Sequence, residues 1–171
     1  ICDINHVRLH KYGEAFDVAE ENRFDSEDAF FEKKLSDVLF ITTQDRMHVR
    51  MAKKALMLGY DIVLEKPISD DVEELRELSR LAHEKQRKIM VCHVLRYTVT
   101  MRKLKEILNS GAIGRLVSID HTENVVYWHE AHSYVRGNWR NRKLATPMIM
   151  AKCCHDLDLL QWYAGSKCET I

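Results

Sequence analysis

The sequence is short of the residues that break chains and cradle phosphates. It has six glycines and two prolines, and no two glycines stand as G-x-G. A glycine-rich loop that wraps phosphates is therefore absent from these residues. So is a linker rich in Pro, Gly or Ser, and any two parts of the chain are expected to pack directly on each other. Long apolar runs are missing as well. None approaches the roughly 20 residues that a helix needs to cross a bilayer, and no basic-then-apolar stretch resembles a signal peptide. Net charge is zero, with 26 acids against 26 bases, which leaves no field to draw nucleic acid or an anionic membrane. The five cysteines, Cys2, Cys92, Cys153, Cys154 and Cys168, are an odd set without C-x-x-C spacing. That argues against a disulfide framework and for a reducing, cytoplasmic setting. No internal repeat or low-complexity segment is visible.

What is present is an ordinary globular composition, 46% hydrophobic and 30% charged. The length allows one domain, or one domain and part of another. Both ends read as cut, with Ile1-Cys2-Asp3 resembling the end of one strand and Cys168-Glu169-Thr170-Ile171 the start of another.

Val38-Leu39-Phe40-Ile41-Thr42 is a continuous apolar run, as in a strand buried on both faces. Residues 45–58 carry Met47, Ala52, Ala55 and Leu56 at helical spacing, and Gly59 sits where a helix ends. A strand at Ile62–Leu64 follows. Beyond Pro67, Ser69 or Asp70 is placed to cap a helix whose stripe is Val72, Leu75, Leu78, Leu81 and Ala82. Ile89-Met90-Val91-Cys92 is a further buried strand. Alternating strands and helices at this pitch give βαβ units and a parallel sheet. After about residue 95 the pattern changes. A helix is predicted over 98–109, closed by Ser110-Gly111, then an extended stretch over 116–126 in which Val117 and Ile119 alternate with Ser118 and Asp120. Residues 128–143 lack periodicity, and one helix is predicted over 148–164, ending at Gly165.

Chemistry is expected at the carboxyl ends of parallel strands, where open α/β sheets collect ligands. Glu65-Lys66-Pro67 stands at such an end. There Lys66 is placed either to hold a reacting oxygen and stabilise its developing charge or to form a structural ion pair with Glu65. Thr42, Thr43 and Gln44 end the preceding strand, where they serve a ligand or cap the next helix. His48 lies in the first turn of that helix, facing the same edge or filling a structural role. Asp3 closes the first strand, as a partner for ribose hydroxyls or as a solvated turn residue. On the last helix Lys152, His155 and Asp156 share one flank. His155 is suited to proton transfer, or is a satisfied core histidine beside Leu159 and Trp162. Arg136, Trp139, Arg140, Arg142 and Tyr134 form either a substrate contact or a solvated loop. Two metal motifs fail: in Trp128-His129-Glu130-Ala131-His132 the second His is one residue too early for H-E-x-x-H, and adjacent Cys153-Cys154-His155 point apart on a helix. No metal is expected.

Taken in order, Asp3, the run from Asp37 to Thr43, His48, Glu65-Lys66-Pro67 and His155-Asp156-Leu157-Asp158-Leu159-Leu160 resemble the Gfo/Idh/MocA family of NAD(P)-dependent oxidoreductases. The resemblance implies an incomplete Rossmann-type parallel sheet over residues 1–95. It implies part of a second α/β domain over 96–171, with a large, mostly antiparallel, open-faced sheet. It implies hydride exchange between NAD, or NADP, and a hydroxyl-bearing carbon of a sugar or cyclitol. Carried over, Lys66 polarises the reacting oxygen and His155 is the general acid/base. Asp3, Thr42, Thr43, Gln44, His48, Glu65, Lys66 and His93 line the cofactor, with Lys152, Arg136 and Trp139 toward substrate. A homo-oligomer is implied for the full-length protein. Two positions depart from the family pattern: Thr42-Thr43-Gln44 replaces T-P-N, and Ala151 stands where an Asp often precedes the catalytic His, with Lys152 beside it taking up that role. An NAD-dependent glycosidase with transient sugar oxidation, and a non-catalytic regulator of the same fold, are the alternative functions. Without the phosphate loop, the chain itself is expected to bind dinucleotide poorly.

Overall fold

Three of the apolar runs form strands. The computed structural model describes residues 1–143 and 145–170. In it β1 (Val38–Ile41), β2 (Asp61–Leu64) and β3 (Ile89–Val91) pair in parallel in the order β1-β2-β3. Val38 lies opposite Asp61, Ile41 opposite Leu64, and Leu64 in turn opposite Val91. This register brings Thr42, Glu65 and Cys92 to one edge of the sheet.

Ahead of the sheet come α1 (His6–Ala15), capped by the Asn5 side chain, and α2 (Glu27–Phe30), capped by Ser26. The crossovers between the strands are α3 (His48–Met57) and α4 (Val72–Glu84). Val49, Ala52, Ala55 and Leu56 bury one face of α3 against Ile41, Ile62 and Leu64, and Leu78 and Ala82 of α4 complete the core. Gly59, at φ +83°, turns the chain out of α3 in the left-handed region that glycine tolerates. Tyr60, fully buried, closes the core, and its hydroxyl accepts from the Leu35 amide at 2.7 Å. The cap of α4 is Asp71, which accepts from the Glu73 and Glu74 amides, and not Ser69 or Asp70. Ser69 instead accepts from the Asp71 amide and donates to Glu74, bracing the cap from outside.

Several sequence expectations need correction. β1 is not buried on both faces: Phe40 is 68% exposed, whereas Ile41, which alternates to the other face, is buried in the core with α3. Ile1–Asp3 forms a single parallel bridge, Cys2 to Phe24, outside the three-stranded sheet. The largest difference concerns the second half. After α5 (Val99–Ser110), capped by Thr98 and closed by Gly111, residues 112–126 contain no strand. Among the described residues there is no second, antiparallel sheet. Alternation makes Val117 and Ile119 fit for a strand, but a strand exists only where another backbone answers its N–H and C=O groups. Here no described segment does so.

Next come α6 (Tyr127–Glu130), continued by a π-helical turn over Ala131–Val135, and then α7 (Met148–Ala151) and α8 (Cys154–Ala164). The single helix expected over 148–164 is thus broken at Lys152-Cys153, where Lys152 turns to φ −110°. That break aims Lys152 and His155 separately.

The two halves are clasped by Asp45, buried just beyond β1. Its Oδ2 accepts from Trp139 Nε1 (3.0 Å), the Thr146 amide (3.3 Å) and Thr146 Oγ1 (2.5 Å). Arg46 adds a fork to Asp70 and a bond to the Arg142 carbonyl at 3.1 Å. No described helix is long and apolar enough to cross a membrane.

Candidate functional site

The carboxyl edge of the sheet gathers the expected residues in two groups. At the end of β1, Thr42 and Thr43 line a cavity of about 650 Å³ together with Ile1, Cys2, Leu39 and Met51. Neither Thr42 nor Thr43 caps α3, and Gln44 precedes a 3-10 turn without a side-chain capping bond. His48 is 1% exposed, its ring held between two carbonyl oxygens: Nδ1 lies 2.8 Å from that of Pro67 and Nε2 3.0 Å from that of Thr43. A neutral imidazole donates through only one of them. His48 therefore pins the exit of β2 to the exit of β1, a structural duty at the expected edge. Asp3 lies in the bridged amino-terminal segment. Both its oxygens are engaged by Arg8, at 2.8 and 3.0 Å, and the guanidinium holds this carboxyl below its usual range.

The second group surrounds Lys66. Its backbone amide donates to Glu65 Oε2 at 3.2 Å, and its ammonium donates to the Ala151 carbonyl at 2.8 Å, across 85 residues of sequence. The Glu65–Lys66 ion pair is not formed. Lys66 instead reaches the end of α7, immediately before the break that carries Lys152. Ala151, standing in place of the family's Asp, thus still meets the lysine, but through its backbone.

His155 is 7% exposed and its Nδ1 has no partner among the described residues. His93 has a similarly orphaned Nδ1, and the two rings meet edge-to-face with centroids 5.7 Å apart. Burial pushes both imidazoles below their ordinary value, and the Lys66 ammonium adds to this at each. One buried and one half-buried ring, each with an open nitrogen, are able to take up a proton or meet a polar ligand. Arg96 fixes their relation: it grips Asp158 of α8 with two bonds of 2.6 Å and stacks over Trp162, tying α8 to the turn that follows His93. Arg96 is a support that the sequence reading did not single out, and Asp158 entered that reading only as part of the motif that begins at His155. Their separation of 62 residues gave no local signal.

Lys152 pairs with Glu123 at 2.6 Å, on the flank of α8 next to His155. Trp139 serves the Asp45 clasp, and the exposed Arg136 makes no side-chain hydrogen bond among the described residues. The site therefore brings together Lys66, His93, Lys152 and His155, and leaves Arg136 and Trp139 apart from them. Burial pushes the Cys153 and Cys154 thiols up, which makes poor nucleophiles of both. At the strand ends, the hydroxyls of Thr42 and Thr43, the ammonium of Lys66 and the open nitrogen of His93 offer polar groups to a ligand.

Comparison with known proteins agrees with this architecture. Residues 1–93 match the oxidoreductase family with an NAD-binding Rossmann fold, Gfo/Idh/MocA, and residues 105–170 match the family's C-terminal alpha/beta domain. YteT of Bacillus subtilis (strain 168), designated an oxidoreductase, is 30% identical over 149 residues, covering 85% of this chain and 35% of that protein. D-xylose dehydrogenase of Paenarthrobacter nicotinovorans is 26% identical, covering 81% of this chain and 36% of that one. Scyllo-inositol dehydrogenase from Lactobacillus casei, solved with NAD(H) and scyllo-inositol, shares the fold with a TM-score of 0.77 at 20% identity, over 96% of this chain and 47% of its own. The chain thus spans about a third of these curated relatives and about half of that solved structure. With more than half of its residues matched by the NAD-binding part and most of the rest by the C-terminal part, the chain belongs to the Gfo/Idh/MocA family of oxidoreductases.

Proposed function

We propose that the full-length protein is an NAD-dependent dehydrogenase that moves a hydride between a nicotinamide and a hydroxyl-bearing carbon of a sugar- or cyclitol-like substrate. NADP is the alternative cofactor. The observation that carries this reading is the meeting of Lys66, from the end of β2, with the end of α7, just ahead of α8 and its His155. Bound NAD supplies the hydride acceptor. Lys66 donates to the substrate oxygen and stabilises the negative charge that develops there. His155 takes the hydroxyl proton as the carbonyl forms, and returns it in the reverse direction. Lys152, held by Glu123, binds a neighbouring hydroxyl. The named dehydrogenases of D-xylose and scyllo-inositol support the substrate class. Five free thiols support a reducing, cytoplasmic setting.

The test is His155→Asn in the full-length protein. Turnover is expected to fall roughly 10²–10⁴-fold, the usual share of a positioned acid/base group, with NAD affinity unchanged. Native turnover in a folded variant overturns the assignment. A second reading, transient oxidation followed by return of the hydride, leaves no net change in the cofactor, and one relative at 24% identity is named not a dehydrogenase but a 2,7-anhydro-N-acetylneuraminate hydratase, from Mediterraneibacter gnavus. Product formation without net NADH identifies that chemistry.

A further inference from the structure

Beside the site, three acidic or basic ligand-type side chains converge. His121 and Glu123 come from the irregular segment 112–126 and Asp156 from the first turn of α8, and one ligand atom of each lies within 4.8 Å of the others. His121 Nε2 is 2.7 Å from Asp156 Oδ1. Asp156 is only 6% exposed, and its second oxygen, Oδ2, is buried without a hydrogen-bond partner among the described residues. Buried carboxylates are normally paired or bound to a metal, because an uncompensated charge loses its hydration. Lys152, 2.6 Å from Glu123 Oε1, neutralises one of the two carboxylates. Cys153 lies against Asp156, and the carboxylate adds to the burial that pushes this thiol up.

We propose that His121, Glu123 and Asp156 form a binding site for a divalent first-row transition metal ion. One imidazole and two carboxylates are a nitrogen and oxygen set suited to Mn²⁺, Fe²⁺, Co²⁺ or Zn²⁺, not to soft monovalent copper. His121 Nε2 offers its lone pair, Asp156 turns its orphaned oxygen to the ion, and Glu123 exchanges the Lys152 ammonium for it. The partly exposed flank of His121 and Glu123 provides the entry path. Spacing alone could not reveal the site, since its ligands come from two segments 33 residues apart in sequence. Its test reads binding and not turnover, so its failure is distinguishable from a failure of the proposed hydride transfer.

Titration of the full chain with Co²⁺, followed by visible absorption, provides that test. The expected result is a saturable 1:1 ligand-field spectrum without a thiolate charge-transfer band. Glu123→Gln, a change at a partly exposed residue, should weaken binding by roughly tenfold or more, since even supporting partners of a metal site contribute that much. Asp156→Asn should abolish it, and Cys153→Ser should leave it unchanged. Three outcomes overturn the proposal: no saturable spectrum, equal affinity in folded Glu123→Gln, or loss of the spectrum in Cys153→Ser.

Discussion

Lys66→Met in the full-length protein is expected to lower turnover by roughly 10²–10³-fold, with the fold and NAD affinity retained. The size follows from the position of the charge. A single donor aimed at a developing oxyanion contributes about that factor, because it acts in the transition state more than in the ground state. The variant also loses the bond from the ammonium to the Ala151 carbonyl. A bond of that kind contributes only about 1 kcal/mol to stability, so circular dichroism and thermal unfolding should show a folded protein. Methionine keeps the length of the stem, so packing between β2 and α7 is preserved. Substrate KM should change less than kcat. A folded Lys66→Met protein with native turnover would show that the ammonium is a structural tie to α7 and nothing more.

Asp45→Ala is expected to be the most damaging of the changes outside the catalytic pair. Its Oδ2 serves three donors, from Trp139 and Thr146, which the truncation leaves without an acceptor. Stranding buried donors costs about 1–3 kcal/mol each when no water reaches them. Partial relaxation of the loop brings the expected total to about 3 kcal/mol, or roughly 6–12 °C in Tm for a chain of this size. Asp45→Asn keeps an acceptor and should lose about a third as much. Urea unfolding read by tryptophan fluorescence checks both, since Trp139 is itself bonded to Asp45. Equal stability of Asp45→Ala and the native chain would mean that the segment 131–147 is held by other contacts.

These two sites also separate what the sequence made legible from what it did not. The parallel sheet was legible because its signals are local: apolar runs at Val38–Ile41, Asp61–Leu64 and Ile89–Val91, with helical periodicity between them. The strand-end position of Lys66 and the helical position of His155 followed from the same local patterns. The Asp45 clasp was not legible, because Asp45 and Thr146 are 101 residues apart and nothing in either neighbourhood marks the bond. The pairing of Lys66 with a backbone carbonyl, in place of Glu65, was hidden for the same reason. Trp139 was grouped with substrate-facing residues on its aromatic and basic neighbours, whereas its indole N–H points to Asp45. The expected second sheet rested on alternation at 116–119 and on family resemblance. Alternation describes which side chains could share a face, but it does not supply the neighbouring backbone that a strand needs. Helix breaks are similarly weak in sequence: Lys152-Cys153 contains neither proline nor glycine, yet there the last helix divides.

The central claim is that this site moves a hydride from a hydroxyl-bearing carbon. Its most direct test offers the full-length protein NAD⁺ and a panel of polyols and cyclitols carrying deuterium on the hydroxyl-bearing carbons, then examines the recovered cofactor by mass spectrometry. The account predicts deuterium on the nicotinamide with at least one such substrate, and little or none in Lys66→Met or His155→Asn. A protein that binds NAD⁺ and converts one of these substrates while no deuterium ever reaches the cofactor would contradict it.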